Sequence, residues 1–462
     1  MYEAEKSYYR AAQVSRRIIE YCGGSAGKAH TCTAQFLVTN GHVTAGLGIP
    51  EKEDTLPCSG FYTIIDRGVD VFRSLWDRES VLAILDLDYQ NADLPDEALL
   101  DPAGAFGRME PMFQIVRGEL VSLGIAHIAV MTGQGYHFAC RIDDSTDVAA
   151  RLQMLGQMLP ALKAKYSHDH PFTDNTVPLV KGQDHIGLGL LLEYLVHRIL
   201  GTARETEIPA VVTGLTVGSP PGRRASVSLD LSAYGDPLHM RYTHCGYSVY
   251  HKARHPGLCL VCLPRKDRTL PELIAVRGDL KLAAEYAGTI DAAIPEASAG
   301  VMRLIDDYLA SDLRRFHLYF ESGWQDDPDD WPSGYDRLEL NRLPPCVSLP
   351  LSSPNDALPK PNNMQNISRV LGSQGWHPRA VAGLIRSKFE RDFGWGSAWL
   401  NYDAGTRADF YVRLFCGLVD DGVDDLRDFN CISHQEQGFC PRPWCGFNLA
   451  DYREPLLKAL KL

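Results

Sequence analysis

The chain has 462 residues, 45% of them hydrophobic and 23% charged, with a formal net charge of −12. That length exceeds one ordinary core, so two or three domains are expected, and the composition is that of a globular rather than a disordered chain. The acidic excess excludes a surface that binds nucleic acid all over, while leaving room for a local basic groove. No run of eighteen apolar residues without charge is present. The most apolar helical stretch, residues 186–200, carries Glu193, His197 and Arg198 and reads as a core helix rather than a membrane span. The first seventeen residues mix charge with scattered apolar side chains and lack the continuous apolar segment of a secretion signal. Twelve cysteines without such a signal predict a reducing, cytoplasmic setting in which thiols stay free or bind metal.

In chain order, residues 3–22 carry Tyr8, Ala11, Ala12, Val14, Ile18, Ile19 and Tyr21 on a rough helical stripe, ended by Gly23-Gly24. Residues 35–39 followed by Asn40-Gly41 read as a strand and a tight turn. Residues 70–77 read as helical and lead into an apolar strand. A helix is expected over 110–123, and strands over 128–131 and 136–142, separated by Thr132-Gly133-Gln134-Gly135. Helices are expected over 146–166 and 184–201, strands over 224–231 and 258–263, and a mostly helical region over 280–320. Strands and helices mix without strict alternation, which favours an α+β core of mixed sheets with flanking helices. Between Gln325 and Asn366, Asp, Pro, Ser and Asn dominate, and the stretch reads as a linker. The expected units are therefore a catalytic domain over 1–324, the linker over 325–366, and a helical, cysteine-bearing domain over 367–462.

Chemistry concentrates first in Val81-Leu82-Ala83-Ile84-Leu85-Asp86-Leu87-Asp88. A strand has a side-chain period of two, so Asp86 and Asp88 point to one side. Two carboxylates that close repel and resist joint desolvation, and a divalent cation with oxygen ligands is the usual remedy. The turn Thr132-Gly133-Gln134-Gly135 leads into Tyr136-His137, where glycines allow a phosphate to approach backbone amides; an ordinary hairpin turn is the plainer alternative. In Ser226-Val227-Ser228-Leu229-Asp230-Leu231 a carboxylate again emerges from an apolar strand. His239-Met240-Arg241 and Ser248-Val249-Tyr250-His251-Lys252 follow, with Arg241 and Lys252 offering the positive charge a triphosphate needs.

In this order the four elements resemble the archaeo-eukaryotic primase superfamily, over roughly residues 62–252, with the turn around His137 as the most specific part. The resemblance implies a primase or primase-polymerase. In it Asp86, Asp88 and Asp230 bind two Mg²⁺ or Mn²⁺ ions, while His137, Arg241 and Lys252 contact the phosphates of an incoming nucleotide. Thr132 and the amides near Gly133 and Gly135 are secondary phosphate contacts. The implied partners are a single-stranded DNA template, nucleoside triphosphates, and a helicase or other replication factor. The family usually has a proline and a serine soon after the arginine; here residues 242–247 intervene. Two alternatives remain: a non-catalytic nucleic-acid-binding module on a primase fold, and a metal-dependent nuclease, which would have no use for the phosphate-binding turn.

Near the C-terminus, Cys431, His434, Cys440 and Cys445 form a compact set of soft ligands suited to a structural Zn²⁺. With Cys416 as an alternative ligand, four cysteines also fit an iron–sulfur cluster. Upstream, His377, Arg379, Arg386, Lys388 and Arg391 interleave with Trp376, Phe389, Trp395 and Trp399. Arg379, Arg386, Lys388 and Trp395 are candidates for holding a template strand by phosphate contact and stacking; inward-packed aromatics under exposed charges are the alternative. Cys259 and Cys262 form a Cys-x-x-Cys, but on a buried strand residues three apart face opposite sides.

Overall fold

A computed structural model describes residues 2–39, 54–158, 162–163, 178–213, 224–235, 242–252, 254–266, 268–352, 355, 357–391, 403–424 and 426–460. The fold is mixed, with three sheets and many helices among these residues. The strands are β1 (Leu37–Thr39), β2 (Asp54–Leu56), β3 (Phe72–Ser74), β4 (Ser80–Asn91), β5 (Ile128–Met131), β6 (Gly135–Asp143), β7 (Ala210–Val212), β8 (Ala225–Asp230), β9 (Tyr242–His244), β10 (Val249–His251), β11 (Cys259–Val261) and β12 (Leu263–Pro264). The main sheet has the order β12-β5-β6-β4-β8-β7, antiparallel throughout except for the parallel pair β7–β8. A second sheet runs β2-β1-β3-β9, and β10–β11 form a separate hairpin.

Strand β4 organises the main sheet. Every residue from Ser80 to Leu85 is buried, so its first half is covered on both faces, as its apolar run requires. From Asp86 the burial alternates, with Leu87 and Tyr89 inside and Asp86 and Asp88 partly open. One face of the sheet therefore opens where the acids begin. The helix Pro102–Ser122 packs on this sheet; its N-terminus is stabilised by Pro102 and by the Asp101 side chain, which accepts the Gly104 N–H at 3.0 Å.

Several elements differ from expectation for identifiable reasons. The first helix breaks at Ala11 (ψ 119°) into Glu3–Arg10 and Ala12–Tyr21. Residues 70–77 are not helical: Phe72–Ser74 is a strand between β1 and β9, buried at every position, so no periodicity betrays it. Inside it Arg73 is buried and paired with Asp77 at 2.6 Å. The expected strand at 258–263 divides, with Cys259–Val261 pairing β10 and Leu263–Pro264 pairing β5. The helix expected over 146–166 runs Asp147–Leu155 and stops at Gly156; residues 159–161 and 164–166 lie outside the described set, as does the Asn40-Gly41 turn.

The stretch expected as a linker folds into short 3₁₀ turns and the helices Pro345–Ser352 and Pro361–Ser373. Trp331, Tyr335, Cys346, Val347, Leu351 and Leu358 are buried there, within the same apolar cluster that reaches from Tyr8 to Leu460. Its prolines mislead because Pro328, Pro345 and Pro361 open helical turns, where the missing N–H is harmless.

The helix Leu179–Thr202 is long and apolar enough to cross a membrane by length and composition, but 72% of its apolar window is buried inside the protein. At its centre Glu193 is fully buried, accepting from His317 Nε2 at 3.0 Å and from Arg413 at 2.9 Å. Burial alone would raise the Glu193 pKa; the Arg413 guanidinium and His317 outweigh it and hold the carboxyl down to about 2. The contact joins three helices, Leu179–Thr202, Asp312–Ser322 and Ala404–Asp420.

Glu193→Gln preserves volume but leaves the Arg413 charge uncompensated, and urea unfolding should show a loss of about 3–5 kcal/mol. Because the carboxyl is held low, this stabilisation is present above the unfolded value near 4.3 and is lost as pH falls toward 2. Lys458→Ala, which breaks an exposed pair with Glu454, should leave the unfolding midpoint unchanged. Equal effects at the two positions would refute the assignment.

Candidate functional site

The two ladders on β4 set the site. Asp86 pairs with His137 of β6 on one side and with Asp230 of β8 on the other. Directly opposed residues share a face, so His137, Asp86 and Asp230 stand in one row across three strands. Asp88, two residues on, stands on the same face, opposite Gly135 and Ser228. The β4–β8 pairing stops at Asp86, and Tyr234 continues it: its hydroxyl accepts the Ile84 N–H at 3.0 Å and donates to the Ile84 carbonyl at 2.9 Å. That anchors the turn after Asp230, whose carboxylate accepts the Ser232 N–H at 2.7 Å and the Ser232 hydroxyl at 3.0 Å.

The row is short of positive charge. Burial first, and then Asp230, push the Asp86 carboxyl up to about 8. Burial and the Asp86 charge push Asp88 to about 8, against the opposing pull of His137 and Lys252. Asp86 Oδ1 is buried without a hydrogen-bond partner among the described residues, 3.4 Å from His137 Nε2. Burial lowers the His137 pKa, with Asp88 working in the other direction, and the Thr243 hydroxyl lies 2.8 Å from Nδ1, orienting the ring. Lys252 follows β10, with Nζ 5.4 Å from the Tyr250 ring centre; burial lowers its pKa while Asp88 raises it. An orphaned carboxylate oxygen among three clustered acids fits hard divalent cations held by oxygen ligands.

The turn before His137 is built for packing. A Cβ on Gly133 would fall 2.1 Å from the Tyr250 ring, and one on Gly135 would fall 1.9 Å from the Leu87 carbonyl oxygen. Neither glycine has a positive φ, so close approach rather than turn conformation demands them. Thr132 is buried; its N–H donates to the Gly135 carbonyl and its hydroxyl accepts the Gly135 N–H at 3.2 Å. Thr132 and the Gly135 amide are thus engaged inside the turn, in place of the phosphate contacts expected of them. Arg277, buried over the Phe106 ring, donates to the Gly133 carbonyl at 3.0 Å. Thr243, Tyr234 and Arg277 were not legible as site residues. Thr243 lies on the short strand Tyr242–His244, and Arg277 ends a helix where a solvent-facing cation is the default. Arg241 lies outside the described residues.

Near the C-terminus, Cys431, His434, Cys440 and Cys445 line one small cavity together with Cys346. Cys346 comes from the stretch read as a linker, whereas Cys416 is buried in the helix Ala404–Asp420 and does not line the cavity. Both ring nitrogens of His434 are buried without a hydrogen-bond partner among the described residues. Thiols around an unsatisfied imidazole fit a soft or borderline metal.

The basic stretch upstream is neutralised within the fold. Arg379 pairs with Asp409 at 3.2 Å and lies over Phe320, and Arg386 pairs with Glu390 at 2.9 Å and lies over Trp331. Lys388 is buried and paired with Asp336, which also holds Arg391 at 2.8 Å. These charges balance local carboxylates instead of forming an open template track; Trp395 and Trp399 lie outside the described residues.

No protein-family model matches the chain, and no curated protein sequence matches it. Among solved structures, the polymerase domain of Mycobacterium tuberculosis ligase D in complex with DNA aligns over 62% of this chain and 88% of that chain, at 15% sequence identity and a TM-score of 0.33. A superposition of that quality does not establish a shared fold.

A carboxyl raised in the folded state favours folding while protonated, so without divalent cations the wild-type protein should lose stability as pH rises from about 4 toward 8. Asp86→Asn removes one ionising group and should be more stable than wild type at pH 9, by roughly 1–2 kcal/mol or about 2–4 °C in Tm, with the difference shrinking as pH falls to about 4. Adding Mn²⁺ should raise the wild-type Tm at pH 8.5 more than at pH 6.5, and should barely affect the variant. Identical pH profiles for the two proteins would contradict the coupling of these acids.

Proposed function

We propose that the chain is a template-directed nucleotidyltransferase of the primase or primase-polymerase type, joining nucleoside triphosphates to a 3′-hydroxyl or to another nucleotide. The observation that carries this reading is the row His137–Asp86–Asp230, with Asp88 on the same face. It joins three of the four sequence elements on which the family resemblance rests. Asp86, Asp88 and Asp230 would hold two Mg²⁺ or Mn²⁺ ions. Bound there, such ions supply an acidified attacking hydroxyl and charge neutralisation of the departing pyrophosphate.

The chain's own groups then have distinct work. His137, oriented by Thr243, presents Nε2 to the acidic face and donates to a phosphate oxygen when protonated there. Lys252, which feels the charge of Asp88, adds a cation for the β- and γ-phosphates; Arg241 is assigned the same role on its place in the sequence motif. Gly133 and Gly135 act indirectly, by letting Tyr250 and the β4 backbone close around the turn. Cys431, His434, Cys440 and Cys445 would hold a structural Zn²⁺, or the three cysteines with Cys346 in place of Cys416 would hold an iron–sulfur cluster. The substrates would be a single-stranded DNA template and nucleoside triphosphates, in a cytoplasmic setting with a helicase or other replication factor as partner.

Primer extension on a single-stranded DNA template with Mg²⁺ or Mn²⁺ tests the reading. Wild type should extend, and Asp86→Asn, Asp88→Asn and Asp230→Asn should each lose more than about 100-fold in rate, since groups that only orient metal ligands already cost 10–100-fold. His137→Ala should raise the KM for nucleotide as well as lower kcat. Degradation of the primer would favour a nuclease, and DNA binding without turnover in every condition would favour a non-catalytic module; either result overturns the proposal.

A further inference from the structure

Away from the acidic row, side chains from three distant segments converge beside the β10–β11 hairpin. His251 ends β10 and Cys259 begins β11, and the antiparallel register sets them directly opposite one another. Glu5, on the helix Glu3–Arg10, reaches both: one ligand atom from each of Glu5, His251 and Cys259 lies within 4.8 Å of the other two. Among the described residues no other group of three His, Cys, Asp or Glu side chains draws together this tightly.

The imidazole is already oriented. Asp70, 2% exposed, lies 2.6 Å from His251 Nδ1 and also accepts the His251 backbone N–H at 3.2 Å. The other ring nitrogen, Nε2, is buried, has no hydrogen-bond partner among the described residues, and lies 3.8 Å from Glu5 Oε1. A carboxylate behind one ring nitrogen and open ligand atoms before the other is the usual setting of a metal-binding histidine.

We propose that Glu5, His251 and Cys259 bind one Zn²⁺, with water completing a four-coordinate site. One nitrogen, one sulfur and one oxygen donor suit this borderline ion, whereas the all-oxygen row at Asp86 suits Mg²⁺ or Mn²⁺. Bonds of about 2.0–2.3 Å require the three atoms to draw in by roughly 1 Å at most, a movement of side-chain ends. The thiolate and the Glu5 carboxylate balance the ion's two charges. The ion would tie the N-terminal helix to the hairpin whose next residue is Lys252, and so would set the position of that lysine beside Asp88.

The rival arrangement is an imidazolium ion-paired between Asp70 and Glu5, with Cys259 a bystander thiol. Metal analysis of the purified full-length chain separates the two. Cys259→Ser should carry one fewer equivalent of zinc than wild type, and Asp86→Asn should carry the same amount as wild type. In a Cys346→Ser, Cys431→Ser, Cys440→Ser, Cys445→Ser background, added Co²⁺ should give a thiolate-to-cobalt charge-transfer band that disappears on adding Cys259→Ser. If that quadruple variant fails to fold, the one-equivalent difference between wild type and Cys259→Ser still decides. Equal zinc in those two proteins overturns the proposal, whatever the outcome of primer extension.

Discussion

Asp86 has a carboxylate on one flank and an imidazole on the other because two antiparallel ladders leave it no other neighbours. A slip of one residue in either ladder would turn the facing side chains to the opposite side of the sheet, so the row exists only in this register. The register is secured by apolar burial, since β4 is enclosed on both faces up to Leu85 and opens only from Asp86 onward. The hydrophobic half of the strand thus sustains an unfavourable arrangement in the other half, where carboxyls are forced together with little counter-charge. The raised pKa values of Asp86 and Asp88 express that imposed cost.

The surroundings of the row reinforce it without touching it. Tyr234 completes the hydrogen bonding where β8 leaves β4, and Arg277 clamps the carbonyl of the turn before His137. Gly135 lets β6 lie against the Leu87 carbonyl, and Gly133 lets Tyr250 cover the turn. Each contact fixes backbone, and the backbone in turn fixes which side chains face each other.

Much of this was readable in one dimension. The apolar run ending in Asp86 and Asp88, the returning strand after His137 and the strand ending at Asp230 all appear at nearly the expected positions, because strong periodicity and abrupt polarity changes survive in any context. What was not readable depends on partners distant in sequence. Strand β3 is buried at every position and shows no alternation, and Thr243 gains a role only when β9 brings it beside His137. Prolines that open helices look, by composition, like those of a linker, and this hid both the packed segment 325–366 and Cys346 within it. The cationic helix Pro378–Phe389 looks like a nucleic-acid surface until Asp336, Glu390 and Asp409 are seen against it. The pairing of His251 with Cys259 is likewise a property of strand register, which the spacing Cys259-x-x-Cys262 does not display.

Glu193 has a further implication for how this polypeptide can be divided. It sits in the first half of the chain, yet its guanidinium partner is Arg413, while the His317 imidazole belongs to the segment before residue 324. A fragment ending at 324 would keep the acid and its imidazole but lose the guanidinium, leaving a buried carboxylate without its cation. A polypeptide cut there would therefore carry a core carboxylate short of its counter-charge, and would be less stable than the same segment within the whole chain.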